Sequence, residues 1–167
     1  MKAKIVSIIT SIDSKFEEYV CYLAISATAI SVFLQVCVRV LFGTALAWCE
    51  EIAVYGMAWG VYMGASLCVR ERAHIRILLG VRALPKIYGT ALLIFGDCLW
   101  AAFNLFMVFY GYQYIELLWE QTYISPALEI DQKWPQAIIP LGFALMTFRM
   151  VQFYYRWWRS GAQGLPA

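Results

Sequence analysis

The side chains able to do chemistry are few and poorly grouped. The 167-residue chain has one histidine, His74, so neither a bis-histidine haem nor a multi-histidine metal site can be assembled from it. Its five cysteines, Cys21, Cys37, Cys49, Cys68 and Cys98, are odd in number and contain no Cys-x-x-Cys pair. They read as small apolar residues. Cys37 and Cys49 fall near the same membrane face, where a disulfide is the one reaction open to them, and nothing in the spacing requires it. There is no Gly-rich phosphate loop and no nucleophile elbow. No catalytic residue, cofactor or metal is therefore expected.

Three polar features remain. Asp97 interrupts a long apolar run, where a carboxyl group serves either as an ion or proton site or as a hydrogen-bonding tie to a neighbouring helix. No cation is available at its depth within the chain, which favours the tie. Glu50 and Glu51 are adjacent, with Arg39 and Trp48 before them and Tyr55 and Trp59 after. Carboxylates at a helix start are favoured by its dipole, and the alternative is an intersubunit or partner-binding pair. Gly56, Gly60 and Gly64 repeat every fourth residue, a face that lets another helix come close, inside the bundle or on a partner.

The elements that carry these residues follow from composition. Apolar and aromatic residues make up 62% of the chain and charged residues only 14%, against about 25% charged in ordinary soluble domains. A nucleic-acid binder needs a basic face on a water-soluble body, and none is present. Four nearly uncharged runs, at roughly 17–39, 51–69, 87–115 and 135–155, are each about as long as the ~20 residues that cross a bilayer. They do not alternate as barrel strands do. The fold class is all-α integral membrane, with four transmembrane helices in a single membrane domain. Asp97, ten residues into the third run, would lie about 15 Å deep at 1.5 Å per residue.

Lys and Arg set the orientation. Lys2, Lys4, Lys15, Arg70, Arg72, Arg76, Arg82, Lys86, Arg156 and Arg159 fall on one side, and Arg39 and Lys133 on the other. The cation-rich side, with both termini, is expected in the cytoplasm. Acidic loops at 40–50 and 116–134 then face the periplasm. The apolar N-terminal stretch ends at Asp13 without a small-residue cleavage site, so it reads as an interfacial helix over 3–16 rather than a signal peptide. The cytoplasmic loop 70–86, where Ile75, Leu78, Leu79 and Val81 alternate with arginines, is expected to lie along phospholipid headgroups.

The stretch RVLFGTALAWCEEIAVYGMAWGVYMGASLCVRERAHIRI resembles the signature region of the small membrane subunit of tripartite ATP-independent periplasmic (TRAP) transporters, the DctQ-like family. The matching positions are Arg39, Trp48, Glu50, Glu51, Tyr55, Trp59, Gly64, Arg70, His74 and Ile75, and YISPALEI before the fourth run is also similar. At Asp131-Gln132-Lys133 the chain departs from the more apolar lead-in of that family. The resemblance implies a bacterial inner-membrane scaffold. Its partners would be a large membrane subunit that carries the substrate and sodium sites and a periplasmic substrate-binding protein, and the cargo a small organic acid. Two rivals need features that are missing. A self-sufficient four-helix transporter would have to rely on Asp97 alone, and a four-helix redox protein would need paired cysteines.

Overall fold

Apolar runs of this length become helices because, away from water, each peptide N–H and C=O must be bonded within its own segment. The computed structural model describes the backbone of residues 2–71 and 85–159, with side chains over 15–71, 85 and 87–159. Its helices are α1 (Lys2–Phe42), α2 (Ala47–Glu71), α3 (Lys86–Glu120), α4 (Lys133–Gln136) and α5 (Ile138–Arg159). Lys15–Phe42, Ala47–Glu71, Ile87–Glu120 and Lys133–Arg159 are long and apolar enough to cross a membrane. The segment expected at 70–86, including His74 and Ile75, lies outside the described residues from 72 to 84.

The helices outrun the hydropathy boundaries. An apolar run ends where water begins, whereas a helix continues for as long as its own hydrogen bonds hold. The first loop therefore shrinks to 43–46 and the second to 121–132. Residues 3–16 form one unbroken helix with the first span. Gly43 ends α1 with a left-handed φ of 67°, and its N–H bonds to the Arg39 carbonyl 3.1 Å away. In the fourth span, Pro140 has no N–H to offer the Gln136 carbonyl, and the helix divides there into α4 and α5.

The spatial order is not the chain order. Among the described residues, α1 packs on α2, α2 on α5, and α5 on α3, while α1 and α3 do not touch. The four spans thus form an open row rather than a closed bundle. Phe143 of α5 lies at the middle of this row, edge-on to Tyr62 of α2 at 5.5 Å and to Phe103 of α3 at 6.2 Å between ring centroids. Val69, Met146 and Met150 form a buried cluster covered by Trp100 and Ala101. Cys21, Met63 and Ile138 form another. Ile138, the first residue of α5, thus packs well down α2, and α4 with the preceding loop lines the earlier turns.

Close approach depends on glycine. A Cβ at Gly56 would sit 2.5 Å from the Thr28 hydroxyl and 2.9 Å from the Ala24 carbonyl. One at Gly142 would sit 2.8 Å from Tyr62 Cβ and Cδ1. Gly96, by contrast, has nothing within 4 Å of its added Cβ. We expect Gly142→Ala to destabilise the protein by about 1–3 kcal/mol through overpacking and Gly96→Ala to leave it as stable as before. Thermal unfolding of the purified protein in detergent checks the contrast, and equal behaviour of the two variants would contradict it.

Candidate functional site

Charged groups concentrate at the two ends of the row. One end carries Glu17, Glu18, Arg70, Glu71, Arg149, Arg156 and Arg159, and is called here the basic end. The other, the acidic end, carries the loops 43–46 and 121–132.

At the basic end a carboxylate is buried among three helices. Glu17 of α1 is 1% exposed. Its Oε1 accepts from Arg149 Nε of α5 and from the Ser66 hydroxyl of α2, both at 2.9 Å. Arg70 of α2 stands 3.9 Å from its Oε2 and reaches Glu18 at 2.6 Å. Arg149 is also buried, and its Nη1 donates to Gln152 Oε1 at 2.9 Å. Sequence reasoning missed this cluster. Glu17 and Arg149 lie 132 residues apart, and each reads by itself as the edge of an apolar run. The usable signal was complementary charge: an acid opening the first run and a base embedded in the fourth, both too costly to bury alone.

Asp97 is 7% exposed and accepts from the Tyr154 hydroxyl of α5 at 2.5 Å. Ala101, one turn further along α3, packs against the cluster of Val69, Met146 and Met150. Asn104, two turns on from Asp97, is fully buried, and its amide makes no hydrogen bond among the described residues.

At the acidic end the two adjacent glutamates separate. Glu51 closes the 121–132 loop: the Ser125 hydroxyl donates to it, and the Ala127 and Leu128 N–H groups donate at 3.1 and 2.9 Å. Within the loop, Ser125 N–H bonds to the Ile130 carbonyl and Glu129 N–H to the Ser125 carbonyl. Glu129 turns the chain with a φ of 54°. Asp131 is bonded to the Lys133 ammonium at 2.6 Å, and that hydrogen bond holds its carboxyl below the usual carboxylate range. Trp59 donates from Nε1 to the Pro135 carbonyl at 3.1 Å, tying α2 to α4. Glu50, Arg39 and Trp48 are exposed, and Arg39 pairs with neither glutamate. Tyr55 lines the cavity between α2 and the loop. The Gly56, Gly60 and Gly64 face lies against Thr28, Ile25 and Cys21 of α1, inside the molecule. Cys37 and Cys49 are both free thiols, and His74 lies outside the described residues. Among the described residues no group of three His, Cys, Asp or Glu side chains could hold a metal.

The described residues thus form four apolar helices whose buried ionisable groups bond to one another. The sequence model of the family described as "Tripartite ATP-independent periplasmic transporters, DctQ component" matches residues 28–160. The chain belongs to this family. It is a TRAP small permease component, not an enzyme, and a multi-pass protein of the bacterial inner membrane. It is 28% identical over 166 residues to the C4-dicarboxylate TRAP transporter small permease protein DctQ of Vibrio cholerae, covering 84% of this chain and 70% of that protein. It is 26% identical over 119 residues to the Rhodobacter capsulatus protein of the same description, covering 71% of this chain and about half (52%) of that one. It is 24% identical over 108 residues to the isethionate TRAP transporter permease protein DctMQ of Oleidesulfovibrio alaskensis, covering 65% of this chain and 17% of that protein.

Two outcomes follow for this chain. Arg149→Ala leaves Glu17 buried without its main partner and should cost about 3–5 kcal/mol, whereas a Glu17→Leu/Arg149→Leu double variant should recover much of that loss. Thermal unfolding of the three proteins reads it, and a double variant no better than the single would refute the pairing. Glu51→Ala should speed hydrogen exchange at the Ala127 and Leu128 amides on the order of tenfold or more, while Glu50→Ala leaves both unchanged.

Proposed function

We propose that this chain is the scaffold subunit of a TRAP importer for a small organic acid, a carboxylate or sulfonate. A large membrane subunit would carry the substrate and the coupled sodium ions, and a periplasmic binding protein would deliver the substrate. The observation that carries this reading is the combination of occupied polar groups with uncovered helix faces. Glu17, Arg149, Asp97 and Glu51 each have partners within the chain. Meanwhile Phe33, Val40 and Leu41 of α1 and Phe95, Leu99 and Phe106 of α3 remain exposed at opposite ends of the row. A row with two apolar flanks suits lateral packing against a larger membrane protein, with phospholipids on the remaining surface.

The names of the relatives, C4-dicarboxylate and isethionate transporters, support an organic acid as cargo. The name DctMQ, on a protein of which the matched stretch is 17%, supports a small subunit that works beside a much larger membrane part. The excess of Lys and Arg on one side supports both ends in the cytoplasm, with the acidic end in the periplasm. The segment 70–86 would then lie along the inner headgroups.

Co-purification checks the proposal. A tagged chain solubilised in mild detergent should bring down a much larger multi-span protein in a fixed ratio, and vesicles containing both should take up substrate only with the binding protein present. Uptake by the small chain alone would overturn the scaffold reading.

A further inference from the structure

Asn104 of α3 is 1% exposed, and neither the nitrogen nor the oxygen of its side-chain amide makes a hydrogen bond among the described residues. An amide shut away from water in this state is costly. Two contacts show what stands opposite it. A Cβ built on Gly111 of α3 would sit 3.1 Å from Pro140 Cβ of α5. Asp97 of α3 accepts from the Tyr154 hydroxyl of α5. The two helices run antiparallel, so these contacts fix their register. Asn104 lies seven positions from both Asp97 and Gly111, and Thr147 lies seven positions from both Pro140 and Tyr154. Seven residues are nearly two turns. Asn104 and Thr147 therefore lie at one level on facing sides of the seam, midway between the two contacts. The Thr147 hydroxyl donates to the Phe143 carbonyl at 2.9 Å, and its oxygen can still accept.

We propose that the α3–α5 seam holds ordered water between Asn104 and Thr147. The water accepts from the Asn104 amide nitrogen, and it donates to the Asn104 amide oxygen and to the Thr147 oxygen. Buried water is held by such otherwise unmatched polar groups. Other occupants fit less well. A metal ion would meet two neutral side-chain oxygens and no carboxylate, since Asp97 is two turns away, about 10 Å along the helix. An acyl chain has no group that can bond an amide. A side chain of another protein cannot reach a residue that is 1% exposed. Water is small enough for a seam bounded by the Phe103 and Phe143 rings on one side and by Trp100, Met146 and Met150 on the other. It can also both donate and accept.

The full chain in nanodiscs provides the test. Asn104 is the only asparagine in the sequence, so protein made with isotope-labelled asparagine gives one side-chain amide signal by NMR. That signal should receive magnetisation from water. Thr147→Ser, which keeps the hydroxyl, should retain the transfer, and Thr147→Val should lose it. Asn104→Leu and Thr147→Val should each lower the thermal midpoint, and the double variant should fall no further than the worse single one, because both residues hold the same water. A higher midpoint in Asn104→Leu would mean a dry, unbonded amide and overturn the proposal. Coupled losses without transfer from water would overturn it in favour of a direct bond between the two side chains. Additive losses, or transfer that persists in Thr147→Val, would remove Thr147 as the partner and overturn the shared site.

Discussion

The arrangement of the spans depends on one buried carboxylate. Glu17 cannot remain charged in an apolar surround without donors, and its donors come from two other helices: Arg149 on α5 and Ser66 on α2. α1 and α5 do not pack against each other along their backbones. Besides the buried cluster of Cys21, Met63 and Ile138, they meet through this long-range ion pair, made across α2. Dispersion between apolar side chains could hold α1 on α2 at several registers. A charge that must meet its partners selects one.

The glycines allow what the ion pair selects. With Gly56, Gly60 and Gly64 against Thr28, Ile25 and Cys21, the α1 and α2 backbones come near enough for Thr28 to reach the Ala53 carbonyl at 3.4 Å. On the other side of α2, Gly142 leaves room for the Tyr62 ring, which in turn meets Phe143. α2 is thus gripped on both sides, where Gly56 and Gly142 leave no room for a Cβ, while among the described residues α1 packs on α2 alone and α3 on the two helices of the fourth span. The stiff centre and the uncovered flanks of the row have the same cause, because small residues concentrate where two helices must meet.

What could be read beforehand was the property that each segment carries by itself. Four spans and a packing face on α2 follow from local composition and spacing. The separate roles of Glu50 and Glu51 do not. Both open the same helix, and only the positions of Ser125, Ala127 and Leu128, more than seventy residues on, decide which one becomes the loop's anchor. The tie at Asp97 is non-local for a related reason, since its donor, Tyr154, lies 57 residues on. Hydropathy measures where a chain tolerates lipid, whereas level in the bundle is fixed by contacts such as Tyr154. Asn104 remains buried without a hydrogen bond, and no pattern in the sequence marks it out from Gln35, which reads the same way.

The mismatch between chain order and spatial order has a consequence for synthesis. When α3 enters the membrane, the helices it packs on have not been made, since its neighbours among the described residues are α5 and α4. The α1–α2 hairpin can dock early, with Ser66 and Arg70 already beside Glu17. α5, the last helix to be made, fits between α2 and α3. Its arrival brings Arg149 to Glu17, so the step that completes the row also completes the ion pair.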